Sequence, residues 1–200
     1  MADLYAIVGT LERARLMLEA RVPYLQLRFK ERLLAPHRAE IAAWAADFPA
    51  TRVIVNDDLE QALALGVWGA HLGQEDLARY DAATVRAAPL CVGISTHDDA
   101  EIARAREYGA ALLGFGPVFD TATKTLKHAP QGLARLAQVV RAVDLPIVAI
   151  GGIGEAQLDA VADTGVPMVA MIAYLDRFQD PAGLRALMER LARPGVHGPA

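Results

Sequence analysis

The sequence has one cysteine, few aromatic side chains, no long apolar run and no cluster of basic residues. Among its 200 residues the single cysteine, Cys91, excludes an intrachain disulfide and is typical of proteins of the reducing cytoplasm. No apolar run approaches the roughly 20 residues that span a bilayer, and the N-terminus lacks the basic and apolar regions of a signal peptide. The formal net charge is −4, so nucleic-acid binding has little electrostatic support. Composition therefore predicts a cytoplasmic protein without a membrane segment or a nucleic-acid partner.

The apolar content is sufficient for a packed core. Hydrophobic residues make up 54% and charged residues 22% of the chain, which is typical of a globular protein. The length favours one domain over residues 1–200, with residues 194–200 as a frayed tail. The sequence leaves the oligomeric state open, and a homo-oligomer is compatible with it.

Short apolar runs alternate with amphipathic segments along the chain. The runs are nearly continuous in Val, Ile, Leu and Ala, as expected for strands buried on both faces of a parallel sheet. They cover residues 4–8, 24–27, 52–55, 69–72, 91–94, 111–115, 146–150 and 168–172. Helical spacing marks residues 98–108, 132–143, 156–163 and 180–192. In the first of these, Ile102, Ala103 and Ala105 are expected to face inward, and Asp180-Pro181 should begin the last.

The number of these units predicts the fold. Eight strands, each followed by a helix, are typical of a (β/α)8 barrel, and 200 residues make a compact one. A doubly wound open sheet is the alternative, but eight units are many for that architecture.

Polar residues follow most of the predicted strands, at the end where barrels carry their active sites. They are Gln26, Arg28, Lys30, Asn56, Asp57, Gln74, Glu75, Asp76, Ser95, Thr96, His97, Thr121, Thr123, Lys124, Gly151 and Gly152. Arg and Lys bind phosphate, whereas magnesium is usually held by one or two carboxylates together with substrate phosphates. A cationic rim around Asp57 and Asp76 therefore suits a magnesium–diphosphate ligand.

Each of these signals also has a purely structural interpretation. Residues 56–58 could form only an N-cap for a helix over 59–65, and Asp76 could be only an exposed turn residue. Residues 121–124 fit a solvated loop, and Gly151-Gly152 fits a turn without room for side chains. Only their common position on one rim favours function.

Several other reactive residues are expected to be structural. Cys91 begins a buried strand and should be inert, and His71, inside a strand, should satisfy a core hydrogen bond. His97 and His128 fit surface or loop positions better than ligand positions. Trp44 and Trp68 are expected to be packing residues.

Five ordered blocks of the sequence resemble the thiamine phosphate synthase family, which is related to the TenI-like proteins. The blocks read LQLRFK (25–30), VNDDLEQALALGVWGAHLGQEDL (55–77), VGISTH (92–97), GFGPVFDTATK (114–124) and PIVAIGGI (146–153). The resemblance runs over most of the chain, from about residue 5 to 175. It implies a transferase that joins a hydroxymethylpyrimidine diphosphate to a thiazole phosphate and releases diphosphate.

The resemblance also implies a role for each site residue. Magnesium, the implied cofactor, should be held by Asp57 and Asp76. The pyrimidine diphosphate should be bound by Gln26, Arg28, Lys30, Asn56 and Lys124, with Ser95 beside the pyrimidine. The thiazole phosphate should be surrounded by Thr121, Thr123, Gly152, Ile172 and Ala173. Arg28, Ser95 and Lys124 are the implied catalytic residues. The family reaction is thought to pass through a pyrimidinylmethyl cation, so no protein nucleophile is required.

The chain departs from the family pattern at several positions. Ala173 stands where a serine usually follows the last strand, which removes a hydroxyl donor and leaves backbone N–H groups for the phosphate. Gly165-Val166-Pro167-Met168 replaces the usual Gly-Ala-Asp-Gly, and Phe29 replaces an acidic residue. Asp58 adds a negative charge, and the first strand lacks the usual Thr-Asp ending.

Two alternatives remain open. One is a TenI-like thiazole tautomerase, a group that uses a histidine where this chain has Pro117. The other is a diverged barrel that binds a thiamine precursor or a protein partner without turnover.

Overall fold

The computed structural model describes residues 1–29, 35–120 and 129–193. In these ranges eight parallel strands close into a barrel, each paired with its neighbours in sequence and the first paired with the last. The strands are β1 (Asp3–Val8), β2 (Tyr24–Leu27), β3 (Arg52–Asn56), β4 (Gly69–Leu72), β5 (Cys91–Thr96), β6 (Leu112–Phe115), β7 (Ile147–Ala149) and β8 (Met168–Met171). The prediction of a (β/α)8 barrel is confirmed, and the open sheet is excluded.

Helices follow the strands and surround the barrel. They are α1 (Leu11–Ala20), α2 (Arg38–Asp47), α3 (Leu59–Leu65), α4 (Ala82–Ala87), α5 (Asp99–Glu107), α6 (Gly132–Ala142), α7 (Leu158–Ala162) and α8 (Pro181–Leu191). Within the described ranges, four short 3₁₀ helices join them, at Ala35–His37, Asp76–Arg79, Glu155–Gln157 and Ala173–Arg177. Side-chain oxygens of Thr10, Asp58, Asp81, Asp98 and Asp180 accept hydrogen bonds from first-turn amides and so define five helix starts. None of the helices in the described ranges is long and apolar enough to cross a membrane.

Alternate residues of each strand belong to two separate cores. Leu4, Ala6 and Val8 pack with helix residues such as Met17, in the layer between strands and helices. Tyr5 lies in a smaller cluster of strand residues, which therefore fills the barrel interior. Every second side chain of a strand thus points into the barrel interior. The last of these inward side chains lies at the barrel mouth, where the strand ends.

The predicted element boundaries are close to those observed, and the differences have local causes. Residues 24–27 and 69–72 match β2 and β4. The predicted helix over 156–163 is a 3₁₀ turn followed by the short α7. The expectation that Ala103 faces inward is wrong, because α5 buries Ile102 and Ala105 and turns Ala103 to solvent.

The two tryptophans differ in burial. Trp44 is buried in the outer core, as predicted. Trp68 is 37% exposed but also packs against its neighbours, as predicted. Its ring meets Tyr24 edge-on at 5.9 Å, and the guanidinium of Arg52 lies 5.5 Å from the Trp68 ring centre. Together these side chains cover the end of the barrel at which the strands begin.

Candidate active site

A cavity of about 670 Å³ opens where the strands end. It is lined by nine of the residues that the sequence assigns to the site, namely Gln26, Arg28, Asn56, Asp57, Asp76, Ser95, Gly152, Ile172 and Ala173. The four other predicted site residues, Lys30, Thr121, Thr123 and Lys124, lie outside the described residues, as does His128.

Strand alternation explains why polar residues from different strands converge here. Tyr24 faces the barrel interior, so Gln26 and Arg28, two and four residues further on, continue the same row to the mouth. Ile54 leads in the same way to Asn56. Apolar residues therefore fill the lower barrel, and the next inward position in each row supplies a polar group.

The amides of β2 and β3 orient each other. The Gln26 side-chain amide donates to Asn56 Oδ1, and Gln26 is 3% exposed. Arg28 is held through its backbone N–H, which donates to the Val8 carbonyl at 2.9 Å. Because a buried amide without partners is costly, this pairing fixes both side chains before any ligand arrives.

The turn after β3 gives two adjacent aspartates different roles. Asp57 has φ of 65°, and its backbone N–H donates to the His71 carbonyl at 2.8 Å. This left-handed conformation, which Asp tolerates, places Asp57 in the cavity lining. Asp58 Oδ1 instead accepts from the Gln61 N–H at 2.9 Å and caps α3. The structural interpretation of residues 56–58 thus holds for Asp58, which does not line the cavity.

A tight turn after β4 holds Asp76. Its Oδ2 accepts the Gly73 N–H at 2.8 Å, and the Asp76 N–H donates to the Gly73 carbonyl at 3.1 Å. The next residue, Leu77, is buried and anchors the turn. Gln74 reaches across to β5 and donates to the Ser95 carbonyl at 2.7 Å. Asp76 is therefore both a turn residue and part of the cavity wall.

His71 forms the floor of the cavity. Its Nε2 lies 3.0 Å from Ser95 Oγ, which confirms the predicted hydrogen bond, and burial lowers the pKa of His71 to about 4. The imidazole is therefore neutral near pH 7. Glycines make room for it, because a Cβ at Gly93 would lie 2.6 Å from His71 Nδ1 and one at Gly114 only 3.1 Å from His71 Cε1. Sequence reasoning gave His71 a core role and missed its place in the lining.

His97 and Glu101 form a second pair beside the cavity that sequence reasoning also missed. His97 Nδ1 lies 2.7 Å from Glu101 Oε2, which also accepts the His97 backbone N–H at 2.7 Å. Both residues are half-buried and line the cavity, and His97 lies in the loop between β5 and α5, as expected. The signal for the pair was available, because His97 directly follows a barrel strand and Glu101 lies four residues on, in the first turn of α5.

The loop after β7 approaches the loop after β6 closely. The Phe119 N–H donates to the Gly151 carbonyl at 3.0 Å, and a Cβ at Gly152 would lie 2.8 Å from Phe119 Cβ. Gly152 also has φ of 65°. No side chain fits at Gly152, as the structural interpretation predicts, so this part of the lining consists of backbone.

Among the departures from the family pattern, Ala173 reaches the cavity, whereas Met168 and Phe29 do not. Ala173 lines it, whereas Met168 is buried in the interior cluster at the opposite end of β8. Phe29 packs against the outer core. The altered segment before β8 is therefore remote from the cavity.

The described residues do not form a complete metal cage of their own. No group of three or more His, Cys, Asp or Glu side chains in these ranges could hold a metal ion. Magnesium needs no such cage, since it keeps several waters and takes one or two carboxylates with substrate phosphates. Asp57 and Asp76, on one cavity wall, fit that requirement.

Comparison with known proteins identifies the family of the chain. The family described as thiamine monophosphate synthase matches residues 4–175. The thiamine-phosphate synthase of Cronobacter sakazakii is 40% identical over 195 residues, covering 96% of this chain and 93% of that protein. The enzyme of that name from Escherichia coli strain K12 is 40% identical over 183 residues, covering 90% and 86%.

Solved structures agree as well. Thiamine phosphate pyrophosphorylase from Pyrococcus furiosus superposes with a TM-score of 0.78 at 28% identity, covering 96% of this chain and 97% of that chain. A 3-hexulose-6-phosphate synthase, with a TM-score of 0.67 and 16% identity over 96% of this chain and 100% of that one, shares the fold alone. By the extent of these matches, the chain belongs to the thiamine monophosphate synthase family.

Proposed function

We propose that this chain is a thiamine phosphate synthase, a transferase that joins hydroxymethylpyrimidine diphosphate to thiazole phosphate and releases diphosphate. The observation that carries the proposal is the convergence of nine expected site residues on one cavity. They come from strands and loops far apart in sequence, and a barrel with only a structural role has no need to bring them together.

The proposed diphosphate subsite lies along β2, β3 and β4. Arg28 can bind phosphate oxygens bidentately, and the paired amides of Gln26 and Asn56 offer polar groups in fixed orientation. Lys30 and Lys124 are proposed to add positive charge. These groups stabilise the leaving diphosphate as negative charge develops on it, which is the main electrostatic demand of the reaction.

Asp57 and Asp76 are proposed to hold magnesium between them and the diphosphate. When bound, the ion would supply further neutralisation of the leaving group. The two carboxylates reach the cavity by different turns, one after β3 and one after β4, so their spacing is set by the pairing of these strands.

The acceptor subsite is proposed to lie across the cavity, near Gly152, Ile172 and Ala173, with Thr121 and Thr123. The protein's task there is to hold the thiazole close to the pyrimidine methylene and to exclude water. Ser95, held by His71, is proposed to contact the pyrimidine between the two subsites. No protein nucleophile is needed, because the thiazole nitrogen attacks the pyrimidinylmethyl cation.

The tautomerase alternative has less support. Pro117, at the position where that group uses a histidine, lines the cavity and carries no ionisable side chain. A non-catalytic barrel that binds a protein partner would not require two carboxylates and an arginine in the same cavity. We place the enzyme in the cytoplasm on the sequence composition.

The test gives both precursors to the purified protein, once with magnesium and once with EDTA. Thiamine phosphate is detected by mass spectrometry. Reactions lacking either precursor serve as controls. Magnesium-dependent product is the expected result. Absence of product, together with calorimetric binding of the pyrimidine diphosphate, would reject the synthase and favour a binding protein.

A further inference from the structure

Arg13, on the outer helix α1, holds the segment that follows β8. Its Nη1 donates to the Phe178 carbonyl at 2.7 Å, and its Nη2 donates to the Leu175 carbonyl. The Arg13 side chain is only 18% exposed, and its Nε lies 3.9 Å from Asp176 Oδ1. A guanidinium is thus directed at two carbonyls of one short turn, 162 and 165 residues away in sequence.

The segment held by Arg13 is also the wall of the cavity. Ile172, Ala173 and Tyr174 line the cavity, and the 3₁₀ helix Ala173–Arg177 carries the last two of them. Arg13 donates to the carbonyl of Leu175 inside this helix, which also accepts the Phe178 N–H at 3.1 Å, and to the carbonyl of Phe178 just beyond it. These two hydrogen bonds tie the helix to α1.

The remaining contacts within the segment are mostly local. Tyr174 meets Phe178 edge-on at 5.6 Å, and the Gln179 side chain donates to the Asp176 carbonyl at 2.8 Å. Leu175 is buried, and Tyr174 and Phe178 pack against the outer core. Such apolar contacts have little directionality, whereas the two Arg13 hydrogen bonds fix the position of two backbone carbonyls.

We propose that Arg13 is a positioning residue that sets the affinity for the acceptor substrate by fixing the β8 wall. This inference rests on the proposed function, because it assigns that wall to the thiazole phosphate. Ala173 has no hydroxyl to adjust to the ligand. Acceptor binding therefore depends on the position of the backbone at the β8 wall, which the Arg13 hydrogen bonds restrain.

The test compares Arg13→Ala and Arg13→Lys with a matched control, Arg185→Ala. Arg185 also links α8 to α1 through a backbone carbonyl, donating to Glu19 at 3.3 Å, but it does not line the cavity. Arg13→Ala should raise the KM for thiazole phosphate roughly fivefold or more, about the effect of one lost hydrogen bond. The KM for the pyrimidine diphosphate should stay within about twofold, as expected if the β8 wall alone has moved.

Arg13→Lys should give an intermediate KM for the acceptor, and it replaces Arg13→Ala if that variant fails to fold. Arg185→Ala should leave both KM values unchanged. Equal changes in both KM values, or no change in either, would overturn the positioning role.

A second readout separates this inference from the proposed function. If the wild-type protein makes no thiamine phosphate, the proposed function fails, and hydrogen–deuterium exchange with inorganic phosphate as the probe then decides the inference. Faster amide exchange over residues 173–178 and weaker phosphate binding in the Arg13 variants, but not in Arg185→Ala, would support it. Unchanged exchange and binding would overturn it.

Discussion

Replacing Asp76 by asparagine separates the charge of this side chain from its structural role. Oδ2 of Asp76 accepts the Gly73 N–H at 2.8 Å and closes the turn after β4. Asparagine keeps a carbonyl acceptor for that bond and removes only the negative charge. Alanine removes both and should also lower the free energy of unfolding by about 0.5–1.5 kcal/mol, the net value of one hydrogen bond.

The expected effect on catalysis is larger than the effect on stability. Two unit charges 4 Å apart interact with about 4 kcal/mol at an effective dielectric constant of 20. A loss of about 1.4 kcal/mol of transition-state stabilisation lowers kcat/KM tenfold. We therefore expect Asp76→Asn to lower kcat/KM for the pyrimidine diphosphate at least roughly tenfold. It should also raise the magnesium concentration at half-maximal rate.

The assay is steady-state kinetics over a magnesium series, with thermal unfolding of each variant. Asp81→Asn is the matched control, because Asp81 is an exposed N-cap whose Oδ1 accepts the Thr84 N–H at 2.7 Å, away from the cavity. An Asp76→Asn enzyme with wild-type kcat/KM and magnesium dependence would show that this carboxylate only closes the turn. The assignment of Asp76 to the metal would then be wrong.

Three further predictions use the same purified protein. Ala173→Ser should lower the KM for thiazole phosphate by a factor of about two to ten, because the serine adds one hydrogen bond to the phosphate. An unchanged or higher KM would show that the wall does not contact the phosphate. Asp58→Ala should lower the free energy of unfolding in urea by about 1 kcal/mol through loss of the α3 cap, whereas a large loss of kcat/KM would mean that Asp58 also serves the site. Burial raises the pKa of Cys91 from 9.0 to about 11, so its alkylation by iodoacetamide at pH 8 should be about a hundredfold slower than that of free cysteine and should speed up as the pH approaches 11. The extent of alkylation is measured by mass spectrometry, and rapid modification at pH 8 would contradict the raised pKa of Cys91.

The sequence predicts the barrel well because its strands are buried on both faces. A run such as residues 69–72 admits few conformations other than a core strand, and eight such runs leave few topologies. The error at Ala103 arises because tertiary contacts outweigh the local pattern: this residue is apolar but lies on the solvent face of α5.

The site is predictable from the sequence only in part. Gln26, Asn56 and Asp76 each follow a strand, so their convergence follows from the barrel itself. The place of His71 in the cavity lining does not follow from the barrel alone. Nothing in the local sequence reveals that Gly93 and Gly114 lie beside the imidazole and leave space for it. Arg13 could not be found at all from the sequence, since it precedes the segment it holds by more than 160 residues.

The two sides of the cavity are built differently, and this difference bears on the proposed function. The proposed diphosphate side uses side chains held by other side chains or turns, as Gln26 is by Asn56 and Asp76 by Gly73. The proposed acceptor side is largely backbone at Gly152 and Ala173. There, losing the usual serine hydroxyl removes one hydrogen bond, about 0.5–1.5 kcal/mol, or a factor of about two to ten in affinity. Such a loss weakens acceptor binding without abolishing it, because Met168 and the rest of the altered segment lie at the other end of β8. The departure at Ala173 is therefore compatible with a working synthase that has a raised KM for its acceptor.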